Sequence, residues 1–464
     1  MENHLLGAAP TFRAVRRPLR ASGLGPALLA TAVSALVPGL AHLRAGRVRT
    51  GRLILLGWVS AATTALLVLA AAGPSIAEVA VSPGWLTALI FACVLVAMAW
   101  TGLVIASYAA VRPIAPSAGV RFVGAVSVGL LCAAVATPPL AVAHYGDVQR
   151  DLITGVFSDS PGTGAPDGSP DGQAPVPSSA SDDTRWRGPR RLNVLLLGGD
   201  ADVGRVGVRT DSMTLASIDT LDGSTVLLSL PRNLQRVPVW DGSRKIPFPK
   251  GELLNAVYEF GEAHHVPVGV RRPGAELVKR TVSHVLGVPV HHYALIDMRS
   301  FRMIVDALGG LRVCVPRAVP VPRGQIAAGT IPAGCARLNG REALWYGRSR
   351  TGSSDYARMD RQKCLLWELS RQATPLKVLR GFQRLARAFR TSVHTDLPRG
   401  LLPGLLELAG RVRGAPVASV QFKPPLIEPG SPDYGLIRRT AARALAADGR
   451  GRVSAVHDLG TTCS

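Results

Sequence analysis

Three apolar runs, residues 53–73, 85–111 and 122–143, contain no Asp, Glu, Lys or Arg. Each reaches the roughly 20 residues that a helix needs to cross the hydrocarbon core of a bilayer. Inside lipid, backbone polar groups must be satisfied within the segment, which makes all three helices. The first run is followed by arginines and by further runs, so no cleavable leader is expected. The rest of the chain must then be sorted by the side of the membrane on which it lies.

Arginines do that sorting, because basic flanks stay cytoplasmic. Arg13, Arg16, Arg17 and Arg20 precede a weaker apolar stretch, residues 24–43, and Arg44, Arg47, Arg49 and Arg52 follow it. With both clusters inside, that stretch does not cross. Pro38-Gly39 would also break a helix near its end. It reads as a re-entrant or interfacial hairpin, with a fourth span and an external N-terminus as the alternative. Residues 53–73 then run outward. The loop 74–84, which has no Lys or Arg, lies outside, residues 85–111 return, and the loop with Arg112 and Arg121 is inside. Residues 122–143 exit, with Pro138-Pro139 near the outer end. The expected organisation is a basic cytoplasmic N-terminus (1–23), an all-helical membrane region (24–144), a flexible linker (145–189) and an extracytoplasmic domain (190–464) in the plasma membrane of a cell. The linker "FSDSPGTGAPDGSPDGQAPVPSSASDDT" is rich in Gly, Pro, Ser and Asp and holds too little apolar surface to fold.

Cysteine placement agrees with this topology. Cys93 and Cys132 fall within spans. Cys314, Cys335, Cys364 and Cys463 fall in the outer domain, where disulfides persist. Four cysteines allow three pairings. Cys314 and Cys335 bound a modest loop that can close on itself, which leaves Cys364 to tie down the tail through Cys463.

The outer domain alternates strand and helix patterns. "LNVLLLGGD" is a continuous apolar run, as expected of a strand buried on both faces. "SMTLASID" and "STVLLSLP" flank the turn signal Leu221-Asp222-Gly223 and read as a hairpin. "GAELVKRTVSHVLG" is a helix, "HHYALID" a strand, "MRSFRMIVDALGG" a helix and "LRVCVP" a strand. The pattern predicts an α/β fold with a mixed central sheet flanked by helices. In such sheets ligands bind beyond the carboxyl ends of strands, and Asp200 and Arg232 occupy such ends.

The net charge is +22, and most of the 53 basic residues are arginines. A basic chain suits nucleic acid, anionic lipid or phosphorylated substrates. Nucleic acid is disfavoured, since the arginines at element ends lie outside the cell. Arg209 and Asp211, two apart in an extended segment, point the same way. Arg348 and Arg350 in "WYGRSR" share that spacing, and two like charges on one face repel unless an anion lies between them. In "DYARMDRQKCLLWEL" a helix begins near Asp355, and Asp355, Arg358 and Gln362 share one face, with Leu365 and Leu366 on the packed side. Each of these residues alone is more readily a solvated surface group. Together, arginines and aspartates at strand and helix ends make a site for a multiply charged phosphate with a divalent cation.

The stretches "LLLGGD", "VRTDSMTLASID", "LLSLPRN", "LLNAVYEFG", "HYALIDMRSFRMIVDALGG", "LNGREALWYGRSR" and "DYARMDRQ" resemble, in order, the LytR-CpsA-Psr family of cell-envelope phosphotransferases. The resemblance covers residues 192–375, more weakly to 448. It implies a membrane-anchored enzyme that transfers a phosphate-linked glycopolymer from a polyprenyl diphosphate carrier to a peptidoglycan hydroxyl. It also implies Mg²⁺ (or Mn²⁺) at Asp200 and Asp211, with Arg209 and Arg232 beside them in catalysis. Arg209, Arg232, Arg348, Arg350 and Arg358 match diphosphate-binding positions, and Asp355 and Gln362 the polar helix positions near them. The lipid tail would enter an apolar pocket between sheet and helices. Departures from the family pattern are Asn233 in place of an aspartate, "ADVG" before Arg205, and Leu253-Leu254-Asn255 in place of Lys-Ile-Asn, with Lys245 and Lys250 displaced upstream. A hydrolase acting on the same carrier, or a non-catalytic lipid-glycan receptor or transcriptional attenuator, would use much of the same site.

The topology makes a direct prediction. A cysteine introduced at Ser117 should resist impermeant thiol reagents in intact cells, and one at Ser169 should react. Labelling in the reverse order would overturn the placement of the outer domain.

Overall fold

The computed structural model describes residues 23–71, 81–113, 117–157, 189–200, 209–326, 329–446, 456–458 and 463. The chain divides into two compact units, Met1–Arg150 and Asp151–Ser464. The basic segment 1–22, most of the loop 74–84, residues 158–188 of the linker and Arg205 lie outside the described residues.

Among the described residues of the first unit, three helices are long and apolar enough to cross a membrane. They are Val48–Ala71, Pro83–Val111 and Ala118–Val156. The weaker stretch before them is broken where Pro38-Gly39 falls, into Leu24–Leu36 and the short Leu40–Arg44. Gly39 has φ +95°, and a Cβ there would stand 2.4 Å from the Gly51 carbonyl oxygen, so only glycine permits this approach. Polar groups within the unit find partners inside it: Ser34 Oγ lies 3.0 Å from Ser107 Oγ, and Trp100 Nε1 donates to the Ala35 carbonyl at 2.9 Å.

The linker starts later than expected. The helix that begins at Ala118 runs through Pro138 and Pro139 to Val156, so residues 145–156 are helical. Its last turns are polar rather than apolar, which hid them from a reading based on apolar length. Asp147 and Arg150 pair at 2.7 Å, one turn apart. Arg399 donates to the carbonyls of Phe157 at 3.2 Å and Thr154 at 2.8 Å, satisfying groups that a helix end leaves open.

The second unit is built on a seven-stranded mixed sheet. Its strands are β1 (Arg191–Gly199), β2 (Thr210–Asp219), β3 (Thr225–Leu230), β4 (His292–Asp297), β9 (Val393–Thr395), β10 (Val417–Gln421) and β11 (Val456–Asp458), while β5 (Leu311–Val315) pairs with β8 (Gly334–Leu338) and β6 (Val319–Pro320) with β7 (Thr330–Ile331) in two small ribbons. The spatial order is β11-β10-β3-β2-β1-β4-β9. β1 runs parallel to β4 and β3 parallel to β10, while β2 is antiparallel to both β1 and β3. Four strands therefore aim their carboxyl ends at one edge of the sheet: β4, β1, β3 and β10. β2 begins at that edge, so Asp200, Asp211, Arg232 and Asp297 are gathered there by topology alone.

Alternation along β1 sends side chains to both faces. Leu195 and Leu197 join the larger core with Leu277, Val278 and Val282 of the helix Pro273–Leu286 and Ile437 and Ala441 of Tyr434–Ala446. Leu192 and Val194 face the other way, onto Leu408 of Leu402–Gly414. The expected strand at "LRVCVP" forms, as β5 (Leu311–Val315), but outside the central sheet. It buries only Leu311, Val313 and Val315 and exposes Arg312 between them. Such a one-faced strand suits the separate two-stranded ribbon it makes with a later strand, Gly334–Leu338, over a second small core.

Two disulfides close this unit, Cys314–Cys335 and Cys364–Cys463, while Cys93 and Cys132 are free. The first joins residues directly opposite in the β5 ribbon. The second fixes the helix Asp355–Gln372 to Cys463, which is buried against Ala216, Leu227 and Val417 of the sheet. Non-reducing peptide mapping should recover these two pairs. Cys463→Ser should cost about 2–4 kcal/mol in a denaturant titration, and recovery of a Cys314–Cys364 peptide would show another pairing.

Candidate active site

A cavity of about 680 Å³ opens at the edge where the carboxyl ends converge. The sheet supplies its floor through Leu196, Gly198, Thr214 and Ile296. Its walls come from three helices: Met298–Ala307, Gly340–Arg348 and Asp355–Gln372. One end is polar, with Asp200, Asp211, Asp297, Arg348, Arg350, Arg358 and Gln362. The remainder is apolar, with Leu196, Phe301, Leu344, Leu365, Leu366 and Leu369 among its lining.

Local sequence explains how the walls are held. Ser354 accepts the Ala357 N–H at 3.1 Å and starts the Asp355–Gln372 helix one residue after itself. Asn339 and Glu342 form a reciprocal capping box at the start of Gly340–Arg348. A Cβ on Gly340 would stand 2.2 Å from the Arg302 carbonyl oxygen, so this glycine lets the two helices touch. Gln362 donates to the Gly347 carbonyl at 3.1 Å, joining the end of one wall helix to the middle of the other.

Of the nine residues singled out from sequence, six line the cavity: Asp200, Asp211, Arg348, Arg350, Arg358 and Gln362. Arg232 and Asp355 lie behind them in a chain of ion pairs. Arg232 Nη1 is 2.8 Å from Asp211 Oδ1, Arg232 Nε is 3.3 Å from Asp355 Oδ1, and Arg358 Nη2 is 3.0 Å from Asp355 Oδ2. Arg209 is not part of the lining. Its side chain pairs with Glu259 at 3.1 Å, and its backbone N–H donates to Asp200 Oδ1 at 2.8 Å. Arg348 and Arg350 are brought to the cavity differently from the extended segment expected. Arg348 is the last residue of its helix, its guanidinium over the Trp345 ring at 5.1 Å, and Arg350 follows after Ser349 in extended backbone. Leu365 and Leu366, expected simply to pack, line the cavity as well.

Three participants were not read from the sequence. Asn255 is buried and its side chain helps to lower the Asp211 carboxyl. Glu259 orients Arg209. Asp297 joins the polar end from β4. Asp297 had a signal, since it closes the apolar run "HHYALID" at a strand's carboxyl end just as Asp200 closes its own. Asn233, the departure from the family aspartate, keeps its buried Oδ1 without a hydrogen-bond partner among the described residues.

The electrostatics hold the polar end anionic and cationic at once. Burial alone would push the Asp211 carboxyl up, but the Arg232 hydrogen bond and charge, aided by Arg358 and Asn255, hold it below the usual carboxylate range. Burial also pulls Arg358 down against the opposing pull of Asp355, yet a guanidinium remains protonated. Arg358 is 3% exposed and its Nε has no hydrogen-bond partner among the described residues. A buried donor left unmade costs about 1–3 kcal/mol, which an anion in the cavity would recover. Asp200 and Asp211 also fit a hard divalent cation, which takes oxygen donors and is held by one or two carboxylates with substrate phosphates. Among the described residues no group of three or more His, Cys, Asp or Glu side chains is arranged as a self-sufficient metal site.

The lowered Asp211 carboxyl carries a pH signature. Its folded value lies below the ordinary 3.8, so its stabilisation is present above that value and is lost as pH falls through the folded one. Around and below pH 3.8, wild-type stability should therefore rise with pH in part through this group. Asp211→Asn should show a flatter dependence in thermal unfolding of the detergent-solubilised chain. An unchanged acid slope would mean that the Arg232 pair contributes nothing there.

The chain is similar to known proteins of one family. The LytR_cpsA_psr family model matches residues 173–424, more than half of the 464-residue chain. The polyisoprenyl-teichoic acid–peptidoglycan teichoic acid transferase TagU of Halalkalibacterium halodurans is 29% identical over 226 residues, 48% of this chain and 66% of that protein. TagU of Enterococcus faecalis is 30% identical over 210 residues, 44% of this chain and 61% of that protein. The chain thus matches less than two thirds of the length of these curated relatives. The crystal structure of B. subtilis TagV is 23% identical with a TM-score of 0.41, covering 55% of this chain and 98% of that one. With seven family stretches in order and the match over residues 173–424, the chain belongs to the LytR_cpsA_psr family.

Proposed function

We propose that this protein transfers a phosphate-linked glycopolymer from a polyprenyl diphosphate carrier to a peptidoglycan hydroxyl outside the plasma membrane, with the chain anchored by multiple spans. The observation that carries the reading is that one cavity is cationic and acidic at one end and apolar over the rest. An amphipathic lipid diphosphate matches both parts at once. The relatives' names, teichoic acid transferases, support the same class of reaction. The three long apolar helices support the anchoring.

Phosphoryl transfer asks a protein mainly for positioning and charge neutralisation. Arg348, Arg350 and Arg358 would grip phosphate oxygens, with the planar fork that suits them. Arg232, locked between Asp211 and Asp355, keeps the strand edge and the helix start in register. Asp200 and Asp211 would hold Mg²⁺ or Mn²⁺, which when bound supplies charge neutralisation on the phosphate oxygens. Leu196, Phe301, Leu344, Leu365 and Leu369 would receive the polyprenyl chain and keep water from the reacting end.

The test is transfer by the full chain from a polyprenyl diphosphate-linked glycan to peptidoglycan, with product analysis. Asp200→Ala or Asp211→Ala should lower kcat with the fold retained. Arg348→Ala or Arg350→Ala should also weaken lipid diphosphate binding about 10- to 100-fold, the worth of one hydrogen bond to a charged group. Lysine should rescue only in part. Asn233→Asp should be tolerated, since it returns the family residue. Full transfer by the Asp200→Ala, Asp211→Ala double variant in excess chelator would sink the cation-assisted reading. Release of free phosphorylated glycan without any on peptidoglycan would identify a hydrolase instead.

A further inference from the structure

The reaction needs a group to take the proton of the acceptor hydroxyl, and the cavity offers few. Its titratable lining consists of Asp200, Asp211, Asp297, Arg348, Arg350 and Arg358. The arginines do not give up their protons. Asp211 is engaged by Arg232 at 2.8 Å, and Asp200 accepts the Arg209 backbone N–H at 2.8 Å. Both of these carboxylates are also the natural pair for the cation.

Asp297 is placed differently. It is the last residue of β4, and its Cα is in register with Gly199 on the neighbouring parallel strand, one residue before Asp200. Its Oδ1 accepts the Ser300 N–H at 2.7 Å, so the first turn of the helix Met298–Ala307 fixes the carboxylate. Ser300 is itself fully buried and donates its hydroxyl to the Ala388 carbonyl at 3.4 Å, which anchors that turn. Among the described residues, no Lys or Arg pairs with Asp297, unlike Asp211 and Asp355. The result is an oriented, half-buried carboxylate in the lining, with one oxygen committed to the helix start and the other without a guanidinium to neutralise it.

We infer that Asp297 is the general base of the transfer, an inference that rests on the phosphotransferase reading. Its Oδ2 accepts the proton of the peptidoglycan hydroxyl as that oxygen bonds to the glycan-bearing phosphorus. The bond from this phosphorus to the bridging oxygen breaks, and the electron pair leaves with polyprenyl phosphate, whose charge meets the arginines. The proton passes on to solvent after release. The carboxylate is thus both helix cap and base, and the two roles can be separated because asparagine caps a helix as well as aspartate does.

The experiment compares Asp297→Asn and Asp297→Ala in the full-length chain reconstituted in nanodiscs. The donor is a synthetic polyprenyl diphosphate-linked glycan and the acceptor is peptidoglycan. For Asp297→Asn, kcat should fall about 10²- to 10⁴-fold, the usual worth of a positioned base. The donor KM, direct donor binding and Tm should stay at wild-type values. Asp297→Ala should match it in kcat and also lose Tm, through the lost cap. Wild-type kcat in Asp297→Asn would overturn the inference and leave Asp297 as a cap alone. Loss of donor binding in step with kcat would overturn it in favour of a substrate-holding role. A wild-type chain that binds the donor and transfers nothing would instead bring down the phosphotransferase reading, and this inference with it.

Discussion

The site depends on Arg232. Its guanidinium reaches Asp211 at the start of β2 and Asp355 at the start of the Asp355–Gln372 helix. One side chain therefore ties the edge of the sheet where the cavity opens to the helix that carries Arg358 and Gln362. All three partners are largely shielded, with side-chain exposures of 20%, 26% and 21%. Removing one member of such a group leaves charge without compensation in poor solvent, which is more costly than the pair is stabilising. Arg358 then pairs with the second oxygen of Asp355. This chain of alternating charges explains how Arg232 and Arg358, which would repel each other, are held near one cavity.

The same edge shows why an α/β sheet suits the task. Parallel neighbours deliver Asp200 and Asp297 side by side, and the antiparallel entry of β2 brings Asp211 to the same level. Backbone hydrogen bonds across the sheet fix these positions, so the carboxylates need little support from loops. Helix faces supply much of the apolar lining, through Phe301, Leu344, Leu365 and Leu369, joined by Leu196 and Ile296 of the sheet. Asp200, Asp211 and Asp297 come from strand termini and Arg348 and Arg358 from helix ends, so sheet and helices together give one cavity two chemistries. The Cys364–Cys463 bond fixes one of those helices to the sheet from beneath.

Much of this was legible in the amino-acid order. Charge-free length identified the three long helices, and Pro38-Gly39 marked where the weaker stretch breaks, because proline and glycine act on the backbone locally. The disulfide pairs followed from the order of four cysteines along the chain. Strand and helix periods located β1 to β4 and the helices around them. Asp200, Asp211, Arg348, Arg350, Arg358 and Gln362 stood out only as a set and through the family resemblance, since each alone is more readily a solvated surface group.

The tertiary structure decided what each of those residues touches. Arg209 turns to Glu259, fifty positions away in sequence, and no local pattern predicts such a partner. Arg348 comes off a helix end rather than a strand, since the packing of Gly340 on Arg302 sets where that helix lies. The β5 strand left the central sheet because a one-faced strand is as stable on a small separate core as on a large one. The helix from Ala118 outlasted its apolar stretch because ion pairs and the Arg399 cap sustain its polar turns. Sequence determines periodicity, charge and backbone constraint, which act between near neighbours. Pairing between distant side chains depends on strand register and helix packing, and these exist only once the whole core has formed.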